Sequence, residues 1–303
     1  MSAIPKVVLL LETSRQYGRQ LLRGIARYAR LHGPWTLVVS PGHFAQPVPR
    51  VQDWGGDAAI VRISSPEMAR AIRKSGIPAV ALEATLEELA TLNASLGISE
   101  IRPDSTAIAR AAAEHLMERG FRHFAYCGLA NGLWSRARQE AFCRHLSAQG
   151  FSCATLAVAA RLAESDWQCD RTALARWLRE LPKPVGLMAC NDDLATKVLD
   201  ACLLAELPVP DEVAIIGVDN DELVCELSDP PLSSVALDLE RAGYEAAALL
   251  DELMSGRAQG YHEVLVKPRW VVSRRSTDVV AQDDRVVAAA LRFIQDNALR
   301  PIQ

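Results

Sequence analysis

The sequence is poor in the features that announce a reaction. No Gly-x-Gly-x-x-Gly and no Gly-x-x-x-x-Gly-Lys-Ser/Thr occurs, so it contains no nucleotide fingerprint. A Gly-x-Ser-x-Gly elbow is absent. The six histidines (32, 43, 115, 123, 145 and 262) show no His-Glu-x-x-His or other metal spacing. The Asp-rich segments described below could take Mg²⁺, but no phosphate cradle accompanies them. These absences argue against an enzyme, and neither a catalytic residue, a cofactor nor a resident metal is expected. Basic excess is missing too: 33 Lys and Arg stand against 37 Asp and Glu, for a net charge of −4. A chain that itself grips nucleic acid needs a basic stripe. No apolar run approaches the ~20 residues that span a bilayer. Met1 to Lys6 run straight into an apolar strand without a signal-peptide core. The expectation is a cytoplasmic protein with no membrane partner.

What is present is ample material for a core. Half of the 303 residues are hydrophobic and 23% are charged, which suits an ordered α/β protein of about two domains. Cysteines number seven, an odd count with irregular spacing and no Cys-x-x-Cys, and several lie in apolar runs such as Phe124–Cys127. They read as buried free thiols of a reducing compartment.

Short apolar runs alternate with longer segments of helical period. Strands are expected at Val7–Leu11, Thr36–Val39, Ala58–Val61, Ala79–Leu82, Phe124–Cys127, Gly186–Ala189 and Val213–Val218. Their continuous hydrophobicity means that helices cover both faces. Helices are expected from near Tyr17 to Leu31, from Asp104–Ser105 to Gly120, and from Ser135 to Ala148, with polar starts and glycine stops. Such alternation predicts a doubly wound parallel sheet. The pattern runs twice, over 6–98 and 122–232, which predicts two lobes around a cleft. Lobe one takes about 1–103 and 237–261; lobe two takes about 104–236 and 262–278, with a last extended stretch at Val264–Val272. Beyond Asp278 the composition changes, and a further helix is expected from Asp283–Asp284 to near Asn297.

Ligands of parallel α/β sheets sit at the carboxyl ends of the strands. Those ends carry Glu12-Thr13-Ser14, Glu83, Asn191-Asp192-Asp193 and Asp219-Asn220-Asp221. Tyr17 and Asp104 stand at the heads of the helices nearby. Carboxylates, amides and hydroxyls suit a polyhydroxylated ligand, because each sugar hydroxyl both donates and accepts. For any single residue, capping of the next helix is an equally good account; recurrence at one end of both sheets favours a ligand. Arg138, in the first turns of its helix, offers a fork of donors balanced by a nearby Asp. Trp134 is placed to stack on the apolar face of a sugar ring, although such a Trp taken alone is more often a loop aromatic packed on the core. Trp54, Trp167 and Trp177 read as structural.

Five segments resemble the xylose operon regulators of the AraC type: Glu12–Ile25, Trp134–Phe142, Gly217–Leu223, Pro231–Val235 and Arg274–Asp278. The resemblance covers the whole chain. It implies a two-lobed, periplasmic-binding-protein-like sensor over 1–278, similar to the sensors of the lactose and galactose repressors. It also implies that 279–303 are a linker and the first helix of a truncated C-terminal helix-turn-helix domain. In the related repressors an Arg of an Arg-x-x-Gly-aromatic motif contacts sugar hydroxyls; Arg138-Gln139-Glu140-Ala141-Phe142 is similar, with Ala for Gly. Asn191-Asp192 and Gly217-Val218-Asp219 match the Asn-Asp and Gly-x-Asp segments of those sensors. The implied ligand is D-xylose or another pentose, the implied partners are operator DNA through the missing domain and a second copy of the chain, and the implied role is control of a sugar-catabolic operon. The alternatives are a solute-binding protein of a sugar transport system and an enzyme of sugar metabolism.

Overall fold

The computed structural model describes residues 4–39, 51–63, 65–82, 87–130, 132–158, 167–279 and 293. Glu83 and, apart from Phe293, the helix expected after Asp283 lie outside the described residues. Along the chain the structure divides into two compact units, one bounded by Met1–Asp104, Asn131–Trp134 and Leu237–Pro268, the other by Ser105–Ala130, Ser135–Ala236 and Arg269–Gln303.

The first unit is built from β1 (Lys6–Leu10), α1 (Gln16–His32), β2 (Thr36–Val39), β3 (Ala58–Arg62), α2 (Pro66–Ser75), β4 (Ala79–Leu82), α3 (Glu87–Leu96) and β5 (Ser99–Pro103). The second follows with α4 (Ser105–Glu118), β6 (His123–Leu129), α5 (Leu133–Ala148), β7 (Cys153–Val158), α6 (Trp167–Glu180), β8 (Val185–Ala189), α7 (Asp192–Ala205), β9 (Val213–Asp219), α8 (Glu222–Leu227) and β10 (Ser233–Leu237). The chain then returns to the first unit with α9 (Leu239–Met254) and β11 (Glu263–Val266), and ends the described fold with β12 (Pro268–Val272) in the second.

The two six-stranded sheets share one order, β2-β1-β3-β4-β5-β11 and β7-β6-β8-β9-β10-β12. Pairing is parallel along the first sheet and from β7 through β10 in the second. Parallel strands need covered faces, and β1, β3, β4, β6, β8 and β9 are almost wholly buried. Each sheet reverses its direction of growth beside its first strand, between β1 and β3 and between β6 and β8. Crevices at such switch points are where open α/β sheets hold ligands.

Two boundaries differ from the sequence reading. Asn131–Trp134, expected in the second lobe, groups with the first unit. Val264–Val272 is not a single stretch of the second lobe: β11 pairs with β5 in the first sheet, and β12 joins β10 in the second. The crossing falls at Lys267–Pro268, where proline ends the donor pattern of the ladder and the Lys267 carbonyl accepts from the Asp238 amide at 2.8 Å. Two strands carry too little apolar signal to stand out in the sequence. In β5, Glu100 is buried because Asn93 Nδ2 donates to its carboxyl at 2.6 Å. β7 is an edge strand, its residues half-buried or, at Thr155 and Ala157, exposed, so they need not be continuously apolar.

Among the described side chains the cysteines divide into two kinds. Cys127, Cys190, Cys202 and Cys225 are buried free thiols, as expected, whereas Cys143 and Cys153 are half-buried and hydrogen-bond each other.

Helices α1 and α9 pack closely because glycine stands at their crossing on both sides. A Cβ at Gly24 would lie 1.9 Å from the Glu240 carbonyl oxygen, and one at Gly243 would lie 2.1 Å from that of Leu21. Backbone cannot yield as a side chain does. Gly24→Ala is therefore expected to lower the unfolding free energy by about 2–3 kcal/mol, measured by urea titration. An unchanged midpoint would show that the helices separate freely.

Candidate functional site

The second unit brings together the groups singled out at its strand ends. The head of α5 is fastened to the end of β6: Ser135 Oγ accepts from the Leu129 amide at 2.8 Å, and the Tyr126 hydroxyl donates to the Ser135 carbonyl at 2.7 Å. Glycine at 128 permits this, since a Cβ there would stand 2.6 Å from Ser135 Oγ. One turn on, Arg138 is 3% exposed, and its Nη1 donates to the carbonyl of Cys190, the residue after β8. Its guanidinium thus spans the switch point between β6 and β8.

Asp219, at the end of β9, is the charge facing it. Arg138 Nη2 and Asp219 Oδ1 are 3.9 Å apart, an ion pair too long for a hydrogen bond. Oδ1 is buried with no hydrogen-bond partner among the described residues. Native proteins keep few such atoms, and each asks for an explanation. The backbone here is held in an uncommon conformation, with φ of 100° at Asp219 and 49° at Asn220. Non-glycine residues in this region are strained, and such strain collects at functional sites. Burial pushes the Asp219 carboxyl up to about 7, with Asp193 and Asp221 adding and Arg138 opposing.

Asp192 has another task. It is buried at the head of α7, and both carboxyl oxygens are used within the protein: Oδ2 accepts from the Asp221 amide at 2.8 Å and Oδ1 from Ser234 Oγ at 2.6 Å. Glycine at 217 makes room, because a Cβ there would lie 2.2 Å from Asp192 Oδ1. Asp192 is thus a post that holds the β9–α8 turn and β10 in place. Burial, then the nearby Asp219 charge, raise its carboxyl well above the usual carboxylate range. Asn191 caps α7, its Oδ1 accepting from the Leu194 amide at 3.0 Å; here the capping account describes what is seen. Trp134 is half-buried in the first turn of α5.

In the first unit, Glu12 follows β1 at that sheet's own switch point and accepts from Ser14 Oγ. Gly18 lets α1 approach it, since a Cβ would lie 1.7 Å from the Glu12 carbonyl. Tyr17 is half-buried in the first turn of α1, and Asp104 is half-buried between β5 and α4, its amide donating to the Val266 carbonyl at 2.9 Å. Sequence reasoning missed the Cys190 carbonyl, and gave Ser234 and Arg274 no site role although both lie in segments that carry the family resemblance. A carbonyl has no residue signature, but the Ser233-Ser234 pair facing an Asp-Asn-Asp turn was a readable sign of buried polar pairing. Among the described residues no helix is long and apolar enough to cross a membrane.

The raised Asp219 carboxyl has a definite sign in stability. A carboxyl whose folded pKa, about 7, lies above its unfolded value near ~3.9 binds its proton more tightly when folded. Its contribution is full below about pH 4 and is lost as pH rises towards 7. The wild-type chain is therefore expected to lose stability relative to Asp219→Asn between about pH 4 and 8, by urea unfolding at each pH. A pH-independent gap would contradict the buried placement of this carboxyl.

The model of the periplasmic binding protein-like domain matches residues 113–277. The chain is 30% identical to the xylose operon regulatory protein of Escherichia coli K12 over 302 residues, 98% of this chain and 76% of that protein. The solved structure of a xylose-binding transcription activator, XylR, superposes with a TM-score of 0.80 at 27% identity, covering 100% of this chain and 77% of that one. A LacI family transcriptional regulator from Arthrobacter sp. FB24, solved in complex with lactose, is similar at 26% identity and a TM-score of 0.69, over 91% of this chain and 100% of that one. With its two β/α sheets of one strand order and this likeness along its length, the chain carries a periplasmic binding protein-like domain and belongs to the family of the xylose operon regulatory proteins.

Proposed function

We propose that the chain is the effector-binding part of a sugar-responsive transcription regulator, with D-xylose or another pentose as its ligand. The observation that carries this reading is the buried Asp219 Oδ1, which has no hydrogen-bond partner among the described residues and stands 3.9 Å from the Arg138 guanidinium at the strand ends. A hydroxyl that donates to Asp219 and accepts from Arg138 uses both functions at once, as sugar hydroxyls do. The names of the relatives in E. coli and of the XylR structure support the pentose.

The ligand undergoes no covalent change in this reading. It acts through a higher affinity for one state of the sensor, and only that difference can shift the equilibrium. The readout is operator DNA, bound through an AraC-type helix-turn-helix domain that follows the sensor in a cytoplasmic homodimer and controls a sugar-catabolic operon. Titration calorimetry against D-xylose, arabinose, ribose, glucose and galactose tests the ligand. A pentose is expected to bind most tightly and to be recovered unchanged. Heat from none of the five, or turnover of a labelled pentose, would overturn the reading.

A further inference from the structure

Arg274, just after β12, is mostly buried, with 11% of its side chain exposed. Nη1 donates to Asn220 Oδ1 and to the Leu232 carbonyl, both at 2.9 Å, and Nε donates to Glu226 Oε1 at 2.8 Å. Its backbone is fixed as well: the amide donates to Ser233 Oγ at 2.7 Å, and the carbonyl accepts from the same hydroxyl at 2.9 Å. One residue thus ties together the turn after β9, α8, and both the approach to and the start of β10.

The residues that follow are pinned by side chains of known direction. Burial, then the neighbouring Arg119 charge, hold the His115 imidazole down to about 4, so it is neutral near pH 7. Arg119 can only donate, so His115 Nδ1 accepts from it at 3.1 Å, and His115 Nε2 donates to Thr277 Oγ1 at 2.9 Å. The Thr277 hydroxyl then donates to Ser233 Oγ at 2.7 Å. Ser276 Oγ accepts from the Ser233 amide and donates to the Ile215 carbonyl. Segment 274–277 is therefore locked to β9, β10 and α4.

Asn220 joins this lock to the site. It directly follows Asp219, shares its positive φ, and its amide donates to Ser234 Oγ at 3.0 Å. Two successive strained residues persist only when their surroundings over-determine them. We infer that Arg274 is a positioning residue for the ligand: it holds the Asp219–Asn220 turn that faces Arg138, and it transmits the state of that turn to segment 274–278. This rests on the reading of Asp219 as a ligand group. The turn cannot shift on binding without moving Asn220 Oδ1, and that oxygen shares Nη1 of Arg274 with the Leu232 carbonyl.

The test compares wild type with Arg274→Ala, Arg274→Lys, Asn220→Gly and the Arg274→Ala/Asn220→Gly double variant. Glycine keeps the positive φ but removes the amide, so it separates backbone freedom from the link to Arg274. Arg274→Ala and Asn220→Gly are each expected to weaken D-xylose binding about tenfold, with the double variant no weaker than either single one. Arg274→Lys keeps the charge towards Glu226 but not the fork. It is expected to recover thermal stability without recovering affinity, which a purely structural role would not produce. In hydrogen exchange, saturating D-xylose should change protection in a peptide covering 270–279 of wild type and leave it unchanged in Arg274→Ala. Losses that multiply in the double variant, or wild-type affinity in folded Asn220→Gly, would overturn the inference. Should Arg274→Ala fail to fold, Arg274→Lys and Asn220→Gly decide it on affinity. If wild type binds none of the pentoses, the sugar reading fails. The clamp is then judged by urea unfolding, where non-additive losses support it and additive ones overturn it.

Discussion

Arg138→Ala is expected to weaken pentose binding at least about tenfold while the chain stays folded. The guanidinium is 3% exposed, donates to the Cys190 carbonyl, and faces Asp219 at 3.9 Å. Without it the sugar hydroxyls lose a donor fork inside a desolvated site. Removing one partner of such a charged, buried set costs about 2–4 kcal/mol of binding. Folding survives because Asp219, whose carboxyl already lies near about 7, takes up a proton once the opposing charge is gone. Asp219→Ala is expected to weaken binding to the same degree. Trp177→Phe, a half-buried position on α6, should leave affinity nearly unchanged and serves as the control. Calorimetry on samples checked by circular dichroism reads all three. Wild-type affinity in folded Arg138→Ala would make Glu12, Tyr17 and Glu83, expected in the first lobe, the better candidates.

Asp192→Ala acts on stability instead. Its loss leaves the Asp221 amide and the Ser234 hydroxyl, both buried, without their acceptor. An unsatisfied buried group costs about 1–3 kcal/mol, so Asp192→Ala should lower the unfolding free energy by about 3 kcal/mol. Asp192→Asn should recover most of this. Its amide oxygen still accepts from the Asp221 amide, and its NH₂ donates to a Ser234 hydroxyl that turns to accept. Equal losses from Ala and Asn in urea unfolding would mean that the negative charge, and not the hydrogen bonding, is what the fold uses.

The sequence made the buried strands legible because parallel strands covered on both faces must be continuously apolar, as β3, β4 and β8 are. It concealed β5, where a buried Glu100 is satisfied by a distant Asn93, and β7, which lies at an edge. It also ran β11 and β12 together, since only the pairing partners reveal that they join different sheets. At the candidate site, Asp219 stood out at a strand end, and Arg138 in the first turns of a helix as a donor fork to be balanced by a nearby Asp. The roles of Asn191 and Asp192 did not, because a carboxylate or amide at a helix head reads the same whether it caps, braces or binds. What separates them is geometry. Asn191 is spent on the Leu194 amide, Asp192 is spent on the turn and β10, and Asp219 Oδ1 has no hydrogen-bond partner among the described residues. Gly217 could be read only in retrospect, from the carboxyl that fills the space a Cβ would take.

A crystal structure of the chain grown with D-xylose tests the central claim most directly. The expected result is a pentose at the carboxyl ends of β6, β8 and β9, with one hydroxyl within hydrogen-bond distance of both the Arg138 guanidinium and Asp219 Oδ1. In that complex Asp192 keeps its bonds to Ser234 and the Asp221 amide. A sugar bound elsewhere, with Asp219 Oδ1 still lacking a donor, would contradict the account.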